Sequence, residues 1–198
     1  MRATLAGLAQ TVVLALALPA GGMAQDVASG GEARRALFPE GQSDLIVLPG
    51  TFLSEQEGRA LAAIPTTGFP FYGAVAASPD AGLQSETTVA VGNFHRVEDA
   101  RFSALAQCDA RRASGTRPCE IVAETRPRGW EPRAIQLSAG ATAVFRNDWG
   151  RGFGERAFAI SPSTGGFALE KGAGAAAAAV AACARASGAA DCRVVIAN

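Results

Sequence analysis

The sequence predicts an α+β protein built from two tandem β-β-α-β units with antiparallel sheet, each stapled by a disulfide. Three observations carry this. The same succession of motifs occurs twice: a strand of small and apolar residues ending in Ser-Pro, a return strand, a helix that ends at a cysteine, and a cysteine that opens a strand. Ala74, Ala76, Ser78 and Pro79 recur as Ala157, Ala159, Ser161 and Pro162, and Cys108 and Cys119 recur as Cys183 and Cys192. Such a repeated order is the signature of an internal repeat, and hairpins joined to a crossover helix fall in the α+β class. The chain accordingly divides into a leader (1–24), an N-terminal supporting segment (25–70), a first copy (71–126), a linking hairpin (127–155) and a second copy (156–198).

The leader reads as a signal peptide. Arg2 is the only charge before Asp26, an apolar run follows from Thr11 to Ala20, and Gly22 and Ala24 are small where a signal peptidase reads, so cleavage is expected after Ala24. The apolar run is shorter than the roughly 20 residues of a membrane span. In the supporting segment, Glu32 to Leu37 suggests a short helix and Leu45 to Leu48 a strand. Ser54-Glu55-Gln56-Glu57 fits a capping box, in which serine and glutamate satisfy each other's backbone N–H, before a helix through Ile64.

The first copy begins with Tyr72 to Ser78, a strand closed by a Ser-Pro turn, and returns along the β-branched stretch Thr87 to Val91. Glu98 and Asp99 favour a helix start through the dipole. Ala100, Ala104, Leu105 and Cys108 then recur at helical spacing. Gly115 and Pro118 end that region, and Glu120 to Ala123 forms the next strand. In the linking segment, Ile135 to Leu137 and Ala143 to Phe145 are expected to pair as a hairpin with its turn near Ala139-Gly140. In the second copy, Ala175 to Ala184 is nearly all alanine, the best helix former, and Val194 to Ile196 is a β-branched strand.

Removing residues 1–24 takes away Arg2 and leaves 17 Lys+Arg against 18 Asp+Glu, a net charge near −1. That provides no basic field for nucleic acid or an anionic membrane. Four cysteines in an exported chain favour disulfides. They allow three pairings, of which Cys108–Cys119 and Cys183–Cys192 are expected, because each copy keeps its own pair between helix end and strand start. A zinc site needs closer pairs than these, and none is expected. The compartment these readings imply is the periplasm or the exterior.

The second copy resembles a family of exported bacterial domains of unknown function. Their pattern is an Ala-x-Ala-x-Ser-Pro-x-Thr-Gly strand-turn, an alanine-rich helix ending at a cysteine, and Asp-Cys-x-Val-Val. This chain carries AFAISPSTGGF from Ala157 to Phe167 and DCRVV from Asp191 to Val195. The first copy departs from the pattern at Asp80 and Pro118. The family has no established activity, so the resemblance implies export and fold. Exported proteins of this layout are sometimes labelled 5-aminolevulinate synthase, which would imply pyridoxal phosphate held on a lysine. The residues argue against it: Lys171 is the only lysine and sits before a helix in an ordinary turn, and no cofactor is expected.

Candidate chemistry is sparse. His95, the only histidine, lies near Glu98 and Asp99 and with one of them would make a general base; the competing reading is an exposed loop histidine. Ser78 and Ser161 precede prolines, where a hydroxyl supports a turn, and no G-x-S-x-G elbow occurs. The stretch from Gly150 to Arg156 is rich in glycine and basic residues, yet lacks the lysine of a phosphate loop, and reads as a flexible linker. Arg146, Trp149 and Arg151 suggest a recognition patch, since Trp and Arg anchor interfaces; a Trp packed on the domain edge fits equally well. Two functions stay open: a binding or inhibitor module for a protein or small ligand outside the cytoplasm, with no membrane span after cleavage, and a small enzyme built around His95.

Overall fold

A computed structural model describes residues 27–66 and 69–198. The expected leader and its cleavage site lie outside the described residues. The fold is α+β, with two antiparallel sheets. In the first unit, β2 (Gly73–Ala77), β3 (Val89–Val91), α3 (Val97–Asp109) and β4 (Glu120–Pro127) follow β1 (Ser43–Val47) in a sheet of order β1-β4-β2-β3. In the second, β5 (Arg156–Ile160), β6 (Phe167–Lys171), α5 (Ala175–Ser187) and β7 (Arg193–Ala197) form a sheet of order β6-β5-β7. Both units are β-β-α-β, and the disulfides are Cys108–Cys119 and Cys183–Cys192, with Cα atoms 6.1 Å apart in each.

The units agree down to a single extra residue. Val75 pairs with Ala123 and Ala76 with Ile121, leaving Val122 as a bulge. Phe158 pairs with Ile196 and Ala159 with Val194, leaving Val195 in the same role. A bulge breaks the two-residue alternation of a strand. So Val122 and Ala123 both reach one core, as do Val195 and Ile196.

Each sheet is covered on both faces. Ala100, Ala104 and Cys108 of α3 pack on Ala74 and Ala76 of β2. Ala175, Ala179 and Cys183 of α5 pack on Ala157 and Ala159 of β5. Alanine on both sides lets helix and sheet approach closely, so the alanine-rich run is a packed helix. The opposite face of the first sheet receives Leu61 from α2 (Glu55–Ala62), whose Ser54–Glu57 capping box forms as expected. The opposite face of the second sheet receives Ala33 from α1 (Gly30–Ala36) together with Ala141 and Phe145 from α4 (Ala139–Asp148). The supporting segment therefore serves both units. Ala28 bridges β7 in parallel, and the Gly30 N–H donates to the Asn198 side-chain oxygen at 3.1 Å.

The expected linking hairpin is a correction. Residues 139–148 form α4, begun by Ser138, whose Oγ accepts from the Ala141 N–H at 3.1 Å. The β-branched residues that suggested strands lose to burial at helical spacing: Ala141, Phe145 and Trp149 fall on one line and fill the core over Phe158 and Ile196.

The departures at Asp80 and Pro118 also have a physical account. In the second unit the carboxylate lies beside the cysteine: Asp191 accepts from Ser161 Oγ at 2.5 Å and from the Ser163 N–H of the turn at 2.8 Å. In the first unit the carboxylate lies on the turn: Asp80 accepts from the Arg117 N–H at 2.8 Å and from its Nε at 2.7 Å. Both units tie the Ser-Pro turn to the cysteine strand, with donor and acceptor exchanged.

Candidate functional site

His95 is brought to the joint between the units by the loop from β3 to α3, where Asn93 turns the chain at φ 63°. The imidazole is fully buried. The Ser138 N–H at the start of α4 donates to Nδ1 at 3.2 Å, and a main-chain N–H can only donate, so the ring proton sits on Nε2. Nε2 then donates to the Gly166 carbonyl of the β5–β6 turn, also at 3.2 Å. Burial lowers the pKa to about 4, so the ring is neutral around pH 7.

The exposed-loop reading of His95 is thus corrected, and the pairing with Glu98 or Asp99 does not form: both ring nitrogens are spent on the main chain. Asp99 has its own environment. Burial raises its carboxyl above the ordinary range, against the pull of Arg96 and Arg193.

The other reactive side chains are likewise occupied. The four cysteines are bonded in pairs. Ser161 is buried on Asp191, and Ser78 Oγ accepts from the Ala81 N–H at 3.4 Å, so both serve their turns. Lys171 Nζ donates to the carbonyls of Asp148 at 2.6 Å and Arg151 at 2.9 Å. It neutralises the carbonyl end of α4, where a cation is favoured. A lysine on an exposed strand end, held by two carbonyls, does not fit a Schiff-base site for pyridoxal phosphate.

The three residues expected as a recognition patch separate. Trp149 is only 3% exposed and packs on Phe145 at 5.1 Å between ring centres. It is part of the core beneath α4 and is not on the surface. Arg146 donates to the Leu37 carbonyl at 3.2 Å and pairs with Glu40 at 3.3 Å. Only Arg151 stands out in solvent, paired with Asp148 at 2.9 Å.

Two residues further on is the side chain sequence reasoning passed over: Phe153 is 99% exposed. Its flanks are held from outside. Arg156 donates to the carbonyls of Trp149 at 2.8 Å and Gly152 at 2.5 Å. The Gly172 N–H donates to the Glu155 carbonyl at 2.9 Å, and the Gly174 N–H to the Glu155 carboxylate at 2.9 Å. With Lys171 on the Arg151 carbonyl, the expected flexible linker is a restrained loop with an aromatic tip. An isolated Phe among glycines was the available signal; the restraints from Lys171 at the end of β6 and from Gly172 and Gly174 beyond it could not be read locally.

A second feature escaped the sequence. Gly92, Asn93, Thr164, Gly165, Phe167 and Ser187 line an open cleft of about 420 Å³ between the units. Its glycines answer to packing. A side chain at Gly165 would meet the Asn93 carbonyl oxygen at 2.7 Å, and one at Gly166 would meet Ser187 Cβ at 2.3 Å. Among the described residues, no cluster of His, Cys, Asp or Glu could hold a metal ion, and no helix is long and apolar enough to cross a membrane. No family model, curated protein or solved structure matches the chain.

Proposed function

We propose that the chain is an exported, disulfide-stabilised module that binds another protein through the loop 149–156, and that it belongs with the exported domains whose motif it carries twice. The observation that carries this reading is Phe153, a 99% exposed aromatic held on a loop restrained on both sides. Burying a Phe is worth about 1.5–3 kcal/mol, which solvent exposure forgoes and a partner recovers. The restraints lower the ordering cost of binding. The occupied state of His95, Lys171 and the cysteines favours binding over catalysis. Two disulfides suit an oxidising compartment, in keeping with the periplasmic or secreted location expected from the leader.

A photo-crosslinking side chain placed at Arg151, an exposed position two residues from Phe153, tests the binding. It is expected to form a discrete protein adduct in the exported fraction of the producing cells, competed by unlabelled wild type and not by F153A. Adducts that wild type and F153A compete equally, or no adduct, overturn the reading. N-terminal sequencing of the exported protein tests the leader: Gln25 is expected first, and an intact Met1 overturns cleavage.

A further inference from the structure

We propose that β1 is the pairing edge of a two-fold dimer, in which it lies antiparallel to β1 of a second copy and joins two four-stranded sheets into one. This goes beyond the loop reading and uses a different surface, the free edge of the first sheet. Along an antiparallel strand, successive residues turn their main chain to one side and then the other. The Leu48 N–H donates to the Val122 carbonyl at 2.9 Å, and the Arg128 N–H to the Gln42 carbonyl at 3.1 Å. Asp44 and Ile46, in phase with these two, therefore bond to Arg126 and Glu124 of β4. Ser43, Leu45 and Val47 turn their N–H and C=O groups away from the sheet, and no described residue bonds to them there. Such a row of unpaired groups is a template for another strand.

The other edges are closed, short or guarded. Ala28 bridges onto β7, and β3 is only three residues long. The edge of β6 ends in Glu170 and Lys171, charges that discourage pairing, and Lys171 holds the loop 149–156. Beside β1 the surface is apolar instead. Ile46 is 38% exposed and Ile64 41%, and Leu45, Leu61, Ile64, Pro65, Phe69 and Val75 line an apolar depression.

The strand itself identifies its occupant. Antiparallel pairing centred on Leu45 sets Ser43 opposite Val47, Asp44 opposite Ile46, and Leu45 opposite itself. Every outward group then has its counterpart: Ser43 and Val47 exchange hydrogen bonds, and so do the two Leu45 residues. On one face the Leu45 side chains meet beside the two depressions. On the other the Ile46 side chains lie diagonally, within reach of each other. A slip of two residues one way sets Asp44 against Asp44, a like-charge pair that destabilises a sheet. A slip the other way sets Ser43 against Pro49, which has no N–H to donate. The central register is thus favoured over both neighbours.

Purified, oxidised protein is followed by sedimentation velocity at rising concentration, to about 100 μM, where a weak interface fills. Wild type is expected to reach twice the monomer mass. S43P removes one outward N–H from each copy, at a position where an edge strand admits proline. It is expected to weaken the dimer about 30-fold through two lost hydrogen bonds, with the melting temperature of the dilute protein unchanged. F153A is expected to dimerise as wild type does. Cysteines read the register. L45C, set opposite itself within disulfide reach, is expected to oxidise to a linked dimer, and I46C, set opposite Asp44, to stay largely unlinked. These two variants decide the matter if S43P does not fold. Wild type that stays monomeric leaves the edge to a strand of some other protein and overturns the proposal. So does a dimer that S43P leaves intact, a dimer that F153A dissolves, or equal cross-linking of L45C and I46C.

Discussion

Two buried polar side chains set the chemistry of the interior residue by residue. His95 is neutral in the fold with a pKa near 4, against 6.5 when solvated. Between those values the unfolded chain binds a proton that the folded chain refuses, so stability is lost as pH falls from about 6.5 to about 4. The shift corresponds to about 3 kcal/mol. The carboxyls of Glu32, Glu57, Asp80, Asp109 and Asp191 are held below their ordinary values, so their losses begin only at lower pH. Asp99, raised by burial, acts in the opposite sense. Urea midpoints followed from pH 7 to 5 are expected to fall for wild type and to stay nearly level for H95Q; parallel curves contradict the assignment to His95. Glu124, fully buried in β4, is clasped by Arg101 of α3 and by Arg126, whose Nε lies 2.9 Å away. Arg126 in turn lies over the Trp130 ring at 4.2 Å. Truncation leaves two partly solvated guanidinium groups without their acceptor, and E124A is expected to cost about 1–3 kcal/mol in chemical denaturation.

Among the elements, legibility followed how locally each was determined. The Ser-Pro turns, the cysteine-bearing helices and the strands after the second cysteines could be read from the sequence, because their pattern is carried by neighbouring residues, although α5 continues past Cys183 to Ser187. Within α4, Ala143 to Phe145 reads as a strand because Val144 and Phe145 favour strands. What decides its form is the Ser138 cap and a core supplied by β5 and β7. The position of His95 depends on a carbonyl 71 residues away, and the posture of the Phe153 loop on Lys171, so neither was visible locally. The exchanged turn ties give a measurable contrast. Asp191 serves a buried serine and a backbone N–H, whereas Asp80 pairs with a largely exposed Arg117. D191A is expected to cost about 1–3 kcal/mol and D80A about 0–1 kcal/mol, compared by urea unfolding. A larger loss for D80A would mean that the first turn, not the second, is the tighter clasp.

At the scale of the whole molecule, each disulfide closes a short loop, with its cysteines 11 and 9 residues apart. In the chain-entropy description each contributes about 2.5–3 kcal/mol by restricting the unfolded chain. The double variants C108S/C119S and C183S/C192S are expected to lose similar amounts, read as shifts in denaturation midpoint. A loss confined to one pair would show that the units do not share the load. The contact of Ala28 and Gly30 with the far end of the chain has a consequence in time. Gly30 meets Asn198 across 168 residues, and α1 roofs a core that needs β7 in place. Closing so long a loop adds little to the equilibrium cost, since that cost grows only logarithmically, but contacts of such separation form slowly. The residues around Ala28 and Gly30 are therefore among the last to settle. In pulse-labelled hydrogen exchange, the amides of Ala28 and Ala197 should gain protection after those of β2 and β4, so that the face of the second sheet under α4 stays only partly roofed until α1 arrives.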